Sequence, residues 1–291
     1  MQKMCPPEFI CKTQKTFCRY KLYMLSLGRE YTENEMGHTV IISEMGDNIP
    51  FRKVFVNFFD AIALITSNGS IVTVDNRNVN NKLFNACLEF YCRNCGHKVL
   101  SNHITDYIFD IDEANLEKAD DKLTEFLNGI DNLNMNPIKL FVAEITDNIK
   151  EHSKAQKGLV YYWRPPGKNV IDVCIADNGI SILGSYVQKD LYIDRIGDSD
   201  AKAIALAKDG YSTKNLPEAE NRGYGISKNI NMITNGLNDS MYILSGSALM
   251  LCNKGSKIIL SMPEQTEWSG TLVFAEIPLK MPENFNIYEY I

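Results

Sequence analysis

The stretch VAEITDNIKEHS, residues 142–153, decides how the chain is read. An α-helix advances about 100° per residue, which places Glu144, Asn148 and His152 at about 0°, 40° and 80°. They form one polar stripe of carboxylate, amide and imidazole. Phe141, Ile145 and Ile149 form the adjoining apolar stripe, the side that packs on a sheet. One flank of the helix is thus anchored and the next presents chemistry. A carboxylate can take a proton from water, and an amide oxygen can ligate a hard cation such as Mg2+. Those roles suit phosphate-ester chemistry. The same residues also fit an ordinary solvated helix face, so their neighbours must decide. Asp147, Lys150 and Glu151 lie off the stripe and read as solvated charges.

Working outward, NPIKLFVAEITDNIKEHS predicts a helix of about four turns with Pro137 near its start. GLVYYWR and VIDVCIAD read as strands, separated by the turn PPGKN. A long polar segment, 181–222, follows, with a short helix DAKAIALAK inside it. GYGISKNINMITNG is a helix opened by a glycine pair. SMYILSG, SKIILSM and GTLVFAEIPL are closing strands, and ALMLCN fits a further one joined to SMYILSG by a tight Gly-Ser turn.

Three of these places carry chemistry. IADNGIS, residues 175–181, delivers Asp177 and Gly179 to the end of a strand. A carboxylate beside a bare glycine can accept an amino-group hydrogen bond from a flat ligand lying on the backbone. Asn-Gly is also a hairpin signal, but no strand follows it. ENRGYGISKNI, residues 220–230, opens a helix with Gly223 and Gly225, and helix N–H groups bared by glycine approach phosphates closely. It is neither a dinucleotide fingerprint nor a Walker A loop. In SGTLVF, Thr271 starts the last strand, where it could hold a water or the base of a ligand.

The first half is less patterned. Residues 1–45 show little periodicity. KVFVNFF and SIVTVDN read as strands, residues 80–94 as a helix, and HKVLSN as a short strand, which together make a small α/β domain over 46–130. DEANLEKADDKLTEFLNGI is an acidic helix from about Glu113, stopped by Gly129, with Leu116, Leu123 and Phe126 at helical spacing. The domain boundary is expected near 120–135. CRNCGH offers Cys92, Cys95 and His97, with Cys87 upstream, as a zinc half-site. No second half-site exists, and the same segment reads as an amphipathic helix burying Leu83, Cys87, Phe90 and Tyr91.

The 291-residue chain carries a net charge of −6, which argues against a nucleic-acid coat. No apolar run is long enough to span a membrane and the N-terminus does not read as a secretory signal, so a cytoplasmic protein is expected.

Polar helix, strand with Asp-Asn-Gly, long lid, Gly-x-Gly helix and Gly-Thr strand stand in one order. That order resembles the Bergerat-fold (GHKL) ATPases, the superfamily of gyrase, the heat-shock chaperones of that fold and the histidine kinases. The likeness covers roughly residues 135–280. It implies a C-terminal α/β sandwich over 131–285, a mixed, mainly antiparallel sheet with helices on one face, holding ATP and Mg2+. By this resemblance Asn148 ligates Mg2+, and Glu144 activates the attacking water. Asp177 binds the adenine amino group, Gly179 gives the base room, and Thr271 supports it through water. Gly223, Tyr224 and Gly225 face the phosphates, His152 and Lys214 contact them, and Ser181 occupies the last position of the first glycine box. That position is usually glycine in the family, and a serine there narrows backbone freedom.

No phospho-accepting histidine sits on a long acidic helix, which argues against a self-contained histidine kinase, and a gyrase-type or MutL-type protein with a transducer domain is not expected. The form is closest to the stand-alone anti-sigma-factor serine kinases, with the stretch before it weakly similar to a STAS domain. Two readings follow. The protein hydrolyses ATP or transfers its γ-phosphate to a protein partner; alternatively, it is a nucleotide-controlled switch whose lid recruits a partner with little turnover. Family members often form homodimers.

Overall fold

The computed structural model describes residues 31–34, 37–42, 72–74, 87, 90, 91, 94, 99–100, 108–131, 133–165, 167–213, 224–262 and 267–290. The chain divides into two units, Met1–His103 and Ile104–Ile291.

The first unit holds a four-stranded sheet in the order β1-β2-β3-β4. Strand β1 (Tyr31–Asn34) pairs antiparallel with β2 (Gly37–Ile42), which pairs parallel with β3 (Val72–Val74), and β3 pairs parallel with β4 (Val99–Leu100). Strands β3 and β4 match SIVTVDN and HKVLSN. The β1–β2 pair lies in the stretch read as unpatterned. Cys87, Phe90, Tyr91 and Asn94 are helical, and the first three are buried, as the amphipathic-helix reading requires. KVFVNFF, Leu83, Cys92, Cys95 and His97 lie outside the described residues.

The second unit is built on a seven-stranded sheet in the order β10-β9-β8-β11-β7-β6-β5, in which each neighbouring pair is antiparallel. Its strands are β5 (Ile108–Asp110), β6 (Lys157–Trp163), β7 (Val170–Asp177), β8 (Met241–Gly246), β9 (Ala248–Asn253), β10 (Ser256–Ser261) and β11 (Trp268–Pro278). ALMLCN is indeed a strand, and Ser245 pairs with Ala248 across a two-residue turn. Gly246 takes a φ of +56° in that turn, a conformation that suits the twist of a hairpin.

Among the described residues the unit has six α-helices: α1 (Glu113–Asn128), α2 (Asn136–Asn148), α3 (Ile182–Lys189), α4 (Ile193–Ile196), α5 (Asp200–Lys208) and α6 (Tyr224–Asn231). Alternate residues of the central strands, Ile171, Val173 and Ile175 on β7 and Val273, Ala275 and Ile277 on β11, share one core with four of these helices. The helical contributions include Leu123 and Leu127 of α1, Phe141 and Ile145 of α2, Ile204 of α5 and Ile230 of α6. Period-2 burial on the strands and period-3.6 burial on the helices therefore meet in a mixed α/β layer. Truncating a side chain such as Phe141, which is fully buried, costs about 3–5 kcal/mol.

The boundary expected near 120–135 is corrected by this core. Helix α1 starts where Asp112 caps Asn115 N at 2.8 Å, and its buried Leu123 and Leu127 pack in the C-terminal core. The division falls at His103/Ile104. A Gly-terminated acidic helix looks like a linker in one dimension because its two buried leucines do not reveal which core receives them.

Among the described residues no helix is long and apolar enough to cross a membrane.

Candidate ligand site

Helix α2 begins with Pro137 in its first turn, where the missing N–H is not needed. Phe141, Ile145 and Ile149 are buried, as the apolar stripe requires. After Asn148 the helix widens into a π-helical turn, Ile149–Ser153. Such turns concentrate at functional sites. Lys154, with φ +52°, ends it.

The polar stripe faces a cavity of about 310 Å3, lined by Glu144, Asn148 and His152 on one side and by Asp177, Thr213, Gly225 and Thr271 on others. The volume falls at the lower end of small-molecule pockets. Isoleucines 145, 149, 175, 180, 182 and 226 supply apolar wall. The cavity thus joins an apolar part to a few convergent polar groups.

Asp177 ends β7 almost wholly buried, at 1% exposure. Gly179 N donates to its Oδ1 at 2.8 Å and Thr271 N to its Oδ2 at 3.2 Å. Burial pushes its pKa up to about 7, opposed by those two backbone donors. A buried carboxylate with a donor on each oxygen is held in one orientation.

Both flanking glycines are required by space. A Cβ on Gly179 would stand 2.0 Å from the carbonyl oxygen of Ser153, whose oxygen accepts from Ile180 N at 2.7 Å. Gly270 has φ +94°, and a Cβ there would strike the Asp177 backbone at 2.3 Å. The Asp-Asn-Gly loop is thereby clamped between the π-helical turn and the start of β11. Thr271 and Ser245 share a hydroxyl contact of 3.0 Å, and Ser245 Oγ also accepts from Ile182 N at 2.9 Å.

Helix α6 opens directly over the polar stripe. A Cβ on Gly225 would sit 3.2 Å from Asn148 Nδ2 and 3.4 Å from Glu144 Oε2. The Asn148 amide nitrogen is buried and has no hydrogen-bond partner among the described residues. A buried donor left unmade costs on the order of 1–3 kcal/mol, so it marks a group held for something.

Glu144, Asn148, His152, Asp177, Gly225 and Thr271 are therefore brought together, with Gly179 shaping the loop behind them. Tyr224 begins α6. Gly223 and Lys214 lie outside the described residues. Ser181, expected to sit beside the nucleotide, is placed differently. The cavity wall includes its neighbours Ile180 and Ile182, while the Ser181 hydroxyl caps α3 by accepting from Gly184 N at 3.2 Å and donates to Asp200 Oδ1 at 3.1 Å. Its φ of −63° is open to any residue, so serine costs the backbone nothing at this position.

Other lining residues carried no signal by themselves: Ser185, Tyr186, Tyr211, Ser212 and Thr213 come from α3 and from the end of the segment after α5. Thr213 Oγ1 lies 3.2 Å from His152 Nδ1, and Ser185 Oγ donates to the His152 carbonyl at 3.1 Å. The Tyr211 ring lies under the Arg195 guanidinium at 4.3 Å.

No family model matches this chain, and no curated protein matches it.

Proposed function

We propose that this site binds ATP with Mg2+, as in the histidine kinase-like ATPases of the Bergerat fold, and that the protein hydrolyses ATP or passes its γ-phosphate to a protein. The observation that carries the reading is the pairing of two groups across one cavity. Asp177 is buried, and its orientation is fixed by Gly179 N and Thr271 N. Asn148 presents a buried amide nitrogen with no hydrogen-bond partner among the described residues. The first is suited to an exocyclic amino group on a flat base lying along the apolar wall. The second suits a hydrated hard cation.

Mg2+ typically takes one or two protein oxygens, with phosphates and water completing its shell. Asn148, with Glu144 nearby over the bare backbone of Gly225, fits that donor set; the amide turns to present oxygen or nitrogen. Bound Mg2+ would neutralise phosphate charge. Asn148 would hold it, the N-terminus of α6 would approach the phosphates through Gly225, and Glu144 would take the proton of the attacking water.

Calorimetry with Mg-ATP tests the reading. Wild type is expected to bind, Asp177→Asn to lose binding by at least about a hundredfold, and Glu144→Ala to bind yet release no phosphate. Equal affinity in wild type and Asp177→Asn would remove the nucleotide assignment. Binding by wild type with no phosphate released or transferred would favour the switch, in which nucleotide orders a partner-binding surface.

A further inference from the structure

We infer that Thr213 is an autophosphorylation site, with His152 as the base that takes its proton; the inference rests on the ATP reading above. Three side chains stand in series. Thr213 Oγ1 lies 3.2 Å from His152 Nδ1, and His152 Nε2 lies 3.4 Å from Glu151 Oε2. Thr213 and His152 both line the cavity that holds Glu144 and Asn148. Thr213 is 9% exposed, so its hydroxyl meets the cavity rather than bulk solvent.

The order of the series sets the proton inventory. A neutral imidazole has one N–H and one lone pair. The carboxylate facing Nε2 favours the tautomer with the proton there, which leaves the Nδ1 lone pair for the Thr213 hydroxyl. The reach of 3.2 Å is within the range for a general base. Ser185 fixes the His152 backbone by donating to its carbonyl, while Thr213 and Glu151 face the two ring nitrogens. The hydroxyl, imidazole and carboxylate match the nucleophile, base and orienting group of an activated hydroxyl. Glu151, which read as a solvated charge in the sequence, becomes the positioning residue for the ring.

The step balances without another reactant. Thr213 Oγ forms a bond to the γ-phosphorus. The bond from that phosphorus to the β–γ bridging oxygen breaks, and ADP leaves with its electron pair. The hydroxyl proton passes to His152 Nδ1, and Glu151 stabilises the resulting imidazolium. The product is phosphothreonine 213, bearing a charge of about −1.5 to −2 at the edge of the site.

Full-length protein incubated with Mg-ATP and mapped by peptide mass spectrometry tests this. Phosphate is expected on Thr213, as phosphoserine in Thr213→Ser, and absent from that peptide in Thr213→Val. His152→Gln should slow labelling about a hundredfold or more, and Glu151→Gln by a smaller factor. A readout without nucleotide is the His152 ring nitrogen spectrum: the Nε2–H tautomer in wild type, with the Nδ1 resonance shifted in Thr213→Val. Wild type that binds Mg-ATP by calorimetry but leaves Thr213 unmodified overturns the inference and leaves the ATP reading standing. Wild type that binds no nucleotide overturns both. Labelling of Thr213 at an unchanged rate in His152→Gln would remove the base assignment.

Discussion

At the scale of single residues, Asn148 is the most informative. Its amide nitrogen is buried without a hydrogen-bond partner among the described residues, yet it sits on a well-packed helix whose neighbours Ile145 and Ile149 are in the core. Stability alone would favour an apolar side chain there, since replacing an orphaned polar group by one of similar shape is neutral or stabilising. Asn148→Leu is therefore expected to leave the nucleotide-free protein as stable as wild type or up to about 1 kcal/mol more stable. The same variant should lose the stabilisation that excess Mg-ATP gives wild type, about 2.7 kcal/mol at a hundred times the dissociation constant. Thermal unfolding with and without Mg-ATP checks both halves. A nucleotide-free loss above about 2 kcal/mol would mean that the amide holds the fold instead.

At the scale of elements, α3 shows how the site is held. Ser181 accepts from Gly184 N and donates to Asp200 Oδ1, while Asp200 Oδ2 accepts from Ser247 N at 2.9 Å and Ser247 Oγ at 3.0 Å. One hydroxyl thus links α3 and α5, and one carboxylate links α5 to the β8–β9 turn. Ser181→Ala should destabilise the protein by about 1 kcal/mol through the lost cap, read from urea midpoints at unchanged m-value. A change below about 0.3 kcal/mol would show that water replaces the hydroxyl at no cost. The elements carrying long periodic runs, α1, α2 and the strands β6 to β11, were legible because burial imposes its period on the sequence. Helices α3 and α4 were not. They lie in a polar segment whose local signal, Ser181 as a helix cap, is masked in the sequence by its place in the glycine-box motif. Asp177, Asn148 and Glu144 were legible through spacing. Thr213 and Tyr211 were not, because α3 to α5 bring them back to the cavity by a route that only the fold defines.

At the scale of the whole molecule, four acidic groups in or beside the sheet, buried or partly buried, shape the response to pH. Asp172 of β7 stands directly opposite Glu276 of β11 in the register. Burial first, and the Glu276 charge second, push Asp172 up to about 7, with Lys168 opposing. Asp239 is pushed up to about 6 by burial and by Glu276, and burial raises Glu276 itself. Lys168 Nζ stands 3.9 Å from Glu276 Oε1, half-exposed, so it offsets only part of this. Asp177 lies in the same range. All four shifts have one sign: the folded protein holds protons that the unfolded chain, with ordinary carboxyl groups, has released. Stability is then largest at the acid end of the window and falls as pH rises from about 4 to about 7, by at most about 1.4 kcal/mol per pH unit for each such group. The melting temperature should accordingly be higher at pH 6 than at pH 8. Asp172→Asn removes the most specific of these contributions while keeping the shape. Its Oδ1 accepts no hydrogen bond among the described residues, so little is lost with the charge. The variant should melt a few degrees above wild type at pH 8 and converge on it toward pH 5, where the native carboxyl is already protonated. Scanning calorimetry of the two proteins across that range decides the matter: an equal offset at pH 8 and pH 5 would mean that the substitution acts through packing, and a lower melting temperature at pH 8 would mean that the Asp172 charge stabilises the sheet.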